Sequence, residues 1–165
     1  QDYLNTWQGK SGEMVAFQHS TFQAVVDNGR SIMDALASAI CHGMLTRFPN
    51  VKLISVENGG NWVDILVRNM ELAYKKMPNQ FPEHPVEVFR RNVWINPFWE
   101  ESLSRLIDLV GADRICFGSD YPHPEGLADP LSWMEEVRDL PQADVDRVMS
   151  TNMYELLDLP VPTAA

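Results

Sequence analysis

Apolar residues along this chain fall into two kinds of pattern, faces that recur every three or four residues and short runs that are apolar almost throughout. Ile32, Leu36, Ala39, Ile40, Met44, Leu45 and Phe48 are of the first kind and predict an amphipathic helix from Ser31 that stops at Pro49-Asn50. "VKLISVENGG" is of the second kind. Its run 51–56 is rich in β-branched residues and halts at Glu57-Asn58-Gly59-Gly60, which predicts a buried strand. Trp62, Ile65, Leu66, Met70 and Tyr74 return to helical spacing up to Pro78-Asn79, and "PVEVFRR" reads as a short helix. "NVWINPF" is a second strand closed by Pro97, Leu103, Leu106, Ile107 and Val110 make a helical face stopped by Gly111, and "RICFG" is a third strand. Leu127, Leu131, Met134 and Val137 predict one more helix, and Val145, Val148, Met149, Leu156 and Leu157 another. Residues 1–29 lack sustained periodicity and read as an irregular loop region, residues 30–159 as the folded body, and 160–165 as a tail.

Strands alternating with helices of ten or so residues predict an α/β fold with parallel pairing through right-handed crossovers. Three strands are few for such a sheet, because its edges and both faces must be covered. The chain also begins at Gln1, with no initiator Met and no signal-peptide pattern. Both features lead to the expectation that these residues are the end of something longer.

Composition narrows the partners. With 45% apolar and 22% charged residues among 165, the chain has the make-up of a globular domain, and no apolar run nears the ~20 residues of a membrane span. A net charge of −10, with 13 basic residues scattered along the chain, excludes nucleic acid as the expected partner. Cys41 and Cys116 both lie in apolar stretches and read as small buried thiols, which fits a reducing cytoplasm.

The residues that can carry chemistry sit where the strands end. In parallel α/β folds the carboxyl ends of the strands open on one side, so Glu57 and Asn58, then Asn96, Phe98 and Trp99, then Asp120 and His123 should share a face. Asp120 is a candidate metal ligand or general base, or else a helix N-cap or turn-former before Pro122. Glu57 precedes two glycines that permit close backbone approach to a ligand, while pairing with Arg114 or Arg91 is its structural alternative. His123, between two prolines, is either presented to a site on a stiff backbone or is an ordinary loop histidine. His42 lies within a helical run and reads as a satisfied core or surface residue, His84 precedes Pro85 in a loop, and His19 has no partner at metal-ligand spacing. Trp62, Trp94 and Trp133 read as core, whereas Trp99, after Pro97, is placed to wall a site for a planar substrate. Dinucleotide and phosphate loops, a Gly-x-Ser-x-Gly elbow and Cys-x-x-Cys are absent from the sequence.

Taken in order, "ICHGMLTRFPNVKLISVENGGNWV", "PVEVFRRNVWINPFWEE", "GADRICFGSDYPHPEG" and "TNMYELLDL" resemble the amidohydrolase-related metal-dependent hydrolases and decarboxylases, the branch that includes aminocarboxymuconate semialdehyde decarboxylase. The resemblance runs from about Arg30 to Leu159. It implies the carboxy-terminal part of a (β/α)₈ TIM barrel, with 51–57 as strand six, 92–97 as strand seven and 115–119 as strand eight. Asp120 would then match the strand-eight aspartate that binds a catalytic divalent metal, usually zinc. The family's His-x-His pair and strand-five histidine have no match here, so the remaining ligands are expected upstream of Gln1 and this segment alone is expected to be inactive. Glu57 stands where many members carry an acid/base histidine, and a carboxylate serves that role when burial raises its pKa.

The resemblance thus implies hydrolysis or non-oxidative decarboxylation of a small carboxylic or aromatic compound. Asp120 and Glu57 would be catalytic, and His123, Asn96, Trp99 and Asn58 would face the substrate. From another class, the alternative is a non-catalytic α/β binding or scaffold module that covers its open strand edges by self-association into a homo-oligomer.

Overall fold

The computed structural model describes Val25 and residues 29–99, 101–123 and 126–161. The irregular region 1–29 therefore lies outside the described residues apart from Val25 and Gly29, as do residues 162–165 of the tail.

The first amphipathic stretch forms two helices, α1 (Arg30–Cys41) and α2 (Met44–Arg47), where one was expected. The break is at Gly43, whose φ of 70° lies in the left-handed region that ends a helix most cheaply without a Cβ. β1 (Leu53–Ser55) and α3 (Trp62–Lys76) follow, and α3 buries Trp62, Val63, Leu66, Val67 and Met70 while Ile65, counted on the apolar face from its spacing, is exposed. α4 (Pro85–Asn92) starts on a proline, whose missing N–H costs nothing at that position, and runs directly into β2 (Val93–Ile95). α5 (Leu103–Val110) buries Leu103, Leu106 and Val110 and stops at Gly111, as its pattern predicts.

β1 and β2 pair in parallel, Leu53 opposite Val93, Ile54 opposite Trp94 and Ser55 opposite Ile95. The third strand is cut down to a parallel bridge between Ile95 and Ile115, where the Cys116 amide donates to the Ile95 carbonyl at 2.8 Å. The ladder stops there because the Cys116 carbonyl would next take the N–H of residue 97, which is a proline and has none. It accepts from Asn96 Nδ2 at 3.2 Å instead, while the Phe117 amide, on the opposite side of the segment, bonds the Val148 carbonyl at 2.9 Å. The stretch after the opening motif is likewise shorter than one full helix, a 3₁₀ turn (Pro130–Trp133) leading into α6 (Met134–Val137). The last apolar face winds through α7 (Gln142–Asp146), a π turn (Arg147–Thr151) and α8 (Asn152–Leu156).

Both faces of this small sheet are apolar, as parallel pairing requires. Val93, Ile95 and Ile115 enter the main core with the helices, whereas Trp94 and Cys116 pack on the other face with Ile54, Met153 and Leu156. Two buried asparagines tie down the amino ends of the strands. Asn92 Nδ2 donates to the carbonyls of Pro49 and Val51 at 2.9 and 2.7 Å, and Asn152 Nδ2 to those of Ala112 and Ile115, both at 2.7 Å. With those ends held, the carboxyl ends of the three segments point the same way. Cys116 is buried as expected, but Cys41, at the end of α1, is exposed. Among the described residues no helix is long and apolar enough to cross a membrane.

Candidate functional site

Each segment of the sheet hands its chain to a polar residue at the same end. After β1, Glu57 takes φ 61°, and beyond Ile115, Asp120 takes φ 56°. A non-glycine residue in this region carries strain of order 1–3 kcal/mol that the surrounding structure must hold. Asp120 is held by the turn that follows it. Its carbonyl accepts from the His123 amide at 2.9 Å, the His123 carbonyl from Gly126 at 3.0 Å, and the Ser119 carbonyl from Leu127 at 2.9 Å. A Cβ at Gly126 would fall 2.5 Å from the Asp120 carbonyl oxygen, so only glycine closes this turn.

The turn brings His123 Nδ1 to 3.4 Å from Asp120 Oδ1. Glu57 joins them, and the three side chains offer ligand atoms that all lie within 4.8 Å of one another. Residues 66 positions apart in the chain thus converge on one point. Arg91 and Arg114, the structural partners weighed for Glu57, form ion pairs with Glu83 and Asp113 instead. Two carboxylates and an imidazole are oxygen and nitrogen donors of the kind that suit zinc or another divalent ion.

Beside this cluster is a cleft of about 200 Å³ lined by Glu57, Asn96, Pro97, Phe98, Trp99, Gly118, Ser119 and Asp120. Phe98 and Trp99 are 42% and 41% exposed, whereas Trp62, Trp94 and Trp133 are buried, so among the described residues Trp99 is the tryptophan set apart from the core. Asn96 Nδ2 donates to the Cys116 carbonyl at 3.2 Å and fixes the amide at the cleft floor. Gly118 makes room for it, since a Cβ there would come within 2.5 Å of Asn96 Nδ2.

Asn58 does not line the cleft, and its Nδ2 donates to the Val56 carbonyl at 2.6 Å, shaping the turn after β1. Glu57 is exposed, so the burial that would lift a proton-shuttling carboxylate toward neutrality is not supplied by the described residues. His123 is 56% exposed and faces Asp120 without lining the cleft itself. His84 stands elsewhere, stacked on Tyr74 and 3.8 Å from Glu71. His42 caps the end of α1, and His19 lies outside the described residues.

Sequence reasoning missed Glu101. Its carboxylate accepts from the amides of Gly60 at 2.5 Å and of Asn61 and Phe98 at 3.2 Å, spanning the loops that follow β1 and β2. Glycines 59 and 60 both lie against this carboxylate, but nothing in the sequence pairs them with residue 101.

The amidohydrolase family profile matches residues 12–159. This chain belongs to the amidohydrolase family. Among proteins of known role, the amidohydrolase chain is similar to a 2-amino-3-carboxymuconate-6-semialdehyde decarboxylase of Dictyostelium discoideum, 26% identical over 136 residues that cover 76% of this chain and 36% of the relative. Among solved structures it is similar to an amidohydrolase from Mycobacterium avium subsp. paratuberculosis K-10, 42% identical with a TM-score of 0.79, over 82% of this chain and 35% of that one. The likeness places the fold in the TIM-barrel superfamily. The chain therefore spans little more than a third of the length of these two relatives.

Proposed function

We propose that this amidohydrolase chain carries the strand-six to strand-eight side of a metal-dependent catalytic centre, acting by hydrolysis or non-oxidative decarboxylation on a small carboxylic or aromatic compound. The observation that carries the reading is the convergence of Glu57, Asp120 and His123 at the carboxyl ends of parallel segments, beside an aromatic-walled cleft. In TIM-barrel enzymes that end is where the chemistry is done. The donor set favours a divalent ion, with zinc the foremost candidate, and the likeness to the Dictyostelium decarboxylase favours a carboxylic substrate.

Asp120 would be the primary ligand and Glu57 and His123 the further donors this chain offers. A bound divalent ion supplies an activated water and an electrophile for a substrate oxygen. Asp120, half-buried in its turn, would hold the ion and take up a proton at its carboxylate, and Glu57 would exchange protons at the reacting atom or add a ligand. Phe98 and Trp99 stack on a planar substrate and shed water from it, and Asn96 presents its amide at the floor. Other barrel strands, supplied by the rest of a longer polypeptide or by self-association, would cover the outer edge of β1 and raise the burial of Glu57. The exposed, unpaired thiol of Cys41 fits a reducing, cytoplasmic setting.

The test is turnover by the assembled enzyme on a panel of small aromatic and unsaturated carboxylates, scored separately for CO₂ release and for hydrolysis. A chelator should abolish the activity, zinc or another divalent ion should restore it, and Asp120→Ala should not respond to metal. Turnover retained in Asp120→Ala would overturn the assignment.

A further inference from the structure

We propose that Glu101 is a positioning residue, a carboxylate clamp that locks the loop carrying Glu57 to the loop carrying Phe98 and Trp99 and so sets the width of the cleft. Backbone amides at strand ends lose their ladder partners and must find others. Here Oε2 of Glu101 takes the Gly60 amide at 2.5 Å and the Phe98 amide at 3.2 Å, and Oε1 takes the Asn61 amide at 3.2 Å. Three donors from two loops thus share one side chain. Bonds from neutral donors to an ionised acceptor are stronger than neutral pairs, which makes this a firm tie between segments 40 residues apart in the chain.

The surrounding residues are cut to fit the clamp. A Cβ on Gly59 would lie 2.5 Å from Glu101 Oε1 and 2.8 Å from the Phe98 ring, and one on Gly60 would lie 2.9 Å from Leu106 and 3.2 Å from Glu101 Oε2. Gly59 is itself at φ 61°, and its carbonyl accepts from the buried Trp62 Nε1 at 2.8 Å, which anchors the far side of the loop to α3. Glu57 is therefore suspended between β1 and a loop fixed from both sides. Glu101 is neither a member of the Glu57, Asp120 and His123 cluster nor one of the residues lining the cleft, and it reaches the lining only through the Phe98 backbone amide. Its service to catalysis rests on the metal-site reading above, whereas the clamp itself does not.

The experiment compares amide hydrogen exchange, residue by residue, in the full chain and in its Glu101→Gln and Glu101→Ala forms, with the competition-measured affinity for Zn²⁺ alone as a second readout. The clamp predicts exchange at Gly60, Asn61 and Phe98 about tenfold faster or more in Glu101→Ala, with Ile95 and Asn96 unchanged. Glu101→Gln, which keeps one acceptor oxygen, should be intermediate. Unchanged exchange at the three amides, or a rise shared equally with Ile95 and Asn96, would overturn the proposal. Where the parent chain binds Zn²⁺, affinity should fall about tenfold in Glu101→Ala and less in Glu101→Gln, and an unaltered affinity would overturn the positioning role. A parent chain that binds no Zn²⁺ is what the metal-site reading expects when the remaining ligands come from other strands, and the exchange pattern then decides the clamp by itself.

Discussion

Asp120 and Asp158 share a backbone conformation, φ 56° and 55°, and each has a basic group beside its carboxylate, yet they sit in opposite circumstances. Asp158 follows α8, where the Leu159 amide reaches back to the Tyr154 carbonyl at 2.9 Å and the left-handed residue ends the helix. Its carboxylate is 84% exposed and meets Lys52 Nζ at 2.5 Å, a cation that also donates to the Glu155 carbonyl. Geometry and charge there are both accounted for by helix termination. Asp120 ends no helix, is only 22% exposed, and looks onto a second carboxylate, an imidazole and a cleft. Strained backbone alone therefore does not mark a site; what sets Asp120 apart is strain at a strand end where carboxylates and an imidazole converge.

The largest expected effect separates the two aspartates outright. Asp120→Ala in the assembled enzyme should lower kcat/KM about a thousandfold or more, and Asp158→Gly should leave it unchanged, with a stability change below about 1 kcal/mol from the lost surface pair. The converse comes from Asn152, at the start of the same helix that Asp158 ends. Asn152→Ala removes the side-chain donor from two carbonyls, that of Ala112 keeping only a long 3.4 Å bond from the Ile115 amide, and should cost about 2 kcal/mol in denaturant unfolding, with turnover per folded molecule intact. Equal turnover losses in the Asp120 and Asn152 variants would dissolve the distinction.

Glu57 sharpens it on a finer scale. Glu57→Ala and Glu57→Gly both delete the carboxylate, but only glycine relaxes at φ 61°, so the glycine form should be more stable by about 1 kcal/mol. Equal stabilities would show that the loop shifts to relieve the strain. The smallest effect concerns Cys116, whose thiol is pushed up to about 12 by burial against an ordinary value of 9.0. Between those values the folded chain holds a proton that the unfolded chain has released, so this group makes stability fall as pH rises from 9 toward 12. Cys116→Ala should flatten that part of the curve, and an unchanged slope would assign it to other groups.

How far this was legible in the sequence depended on the range of the interactions. The abrupt change from Val56 to Glu57 and from Ile95 to Asn96 marks a strand end locally, so β1, β2 and the polar residues beyond them were readable. The turn from Asp120 to His123 is local too, framed by Pro122 and Gly126. The third strand was overestimated, because its partner on β2 runs into Pro97, which has no N–H for the Cys116 carbonyl, and only the register Ile95–Ile115, a tertiary fact, shows that these two residues meet. Cys41 looked buried because its apolar neighbours do face the core, while its own position on α1 does not. Glu101 is legible only once the loops after β1 and β2 are known to touch, a fact of tertiary placement that no spacing encodes.

The central claim, that Glu57, Asp120 and His123 form one ligand cluster, is tested most directly by an anomalous-scattering map at the zinc edge from crystals of the assembled enzyme grown with Zn²⁺. The account predicts a peak bound by Asp120, with the Glu57 carboxylate and the His123 imidazole facing it across the mouth of the cleft. A peak away from Asp120, or the carboxylates of residues 57 and 120 on opposite sides of the barrel mouth, would contradict it.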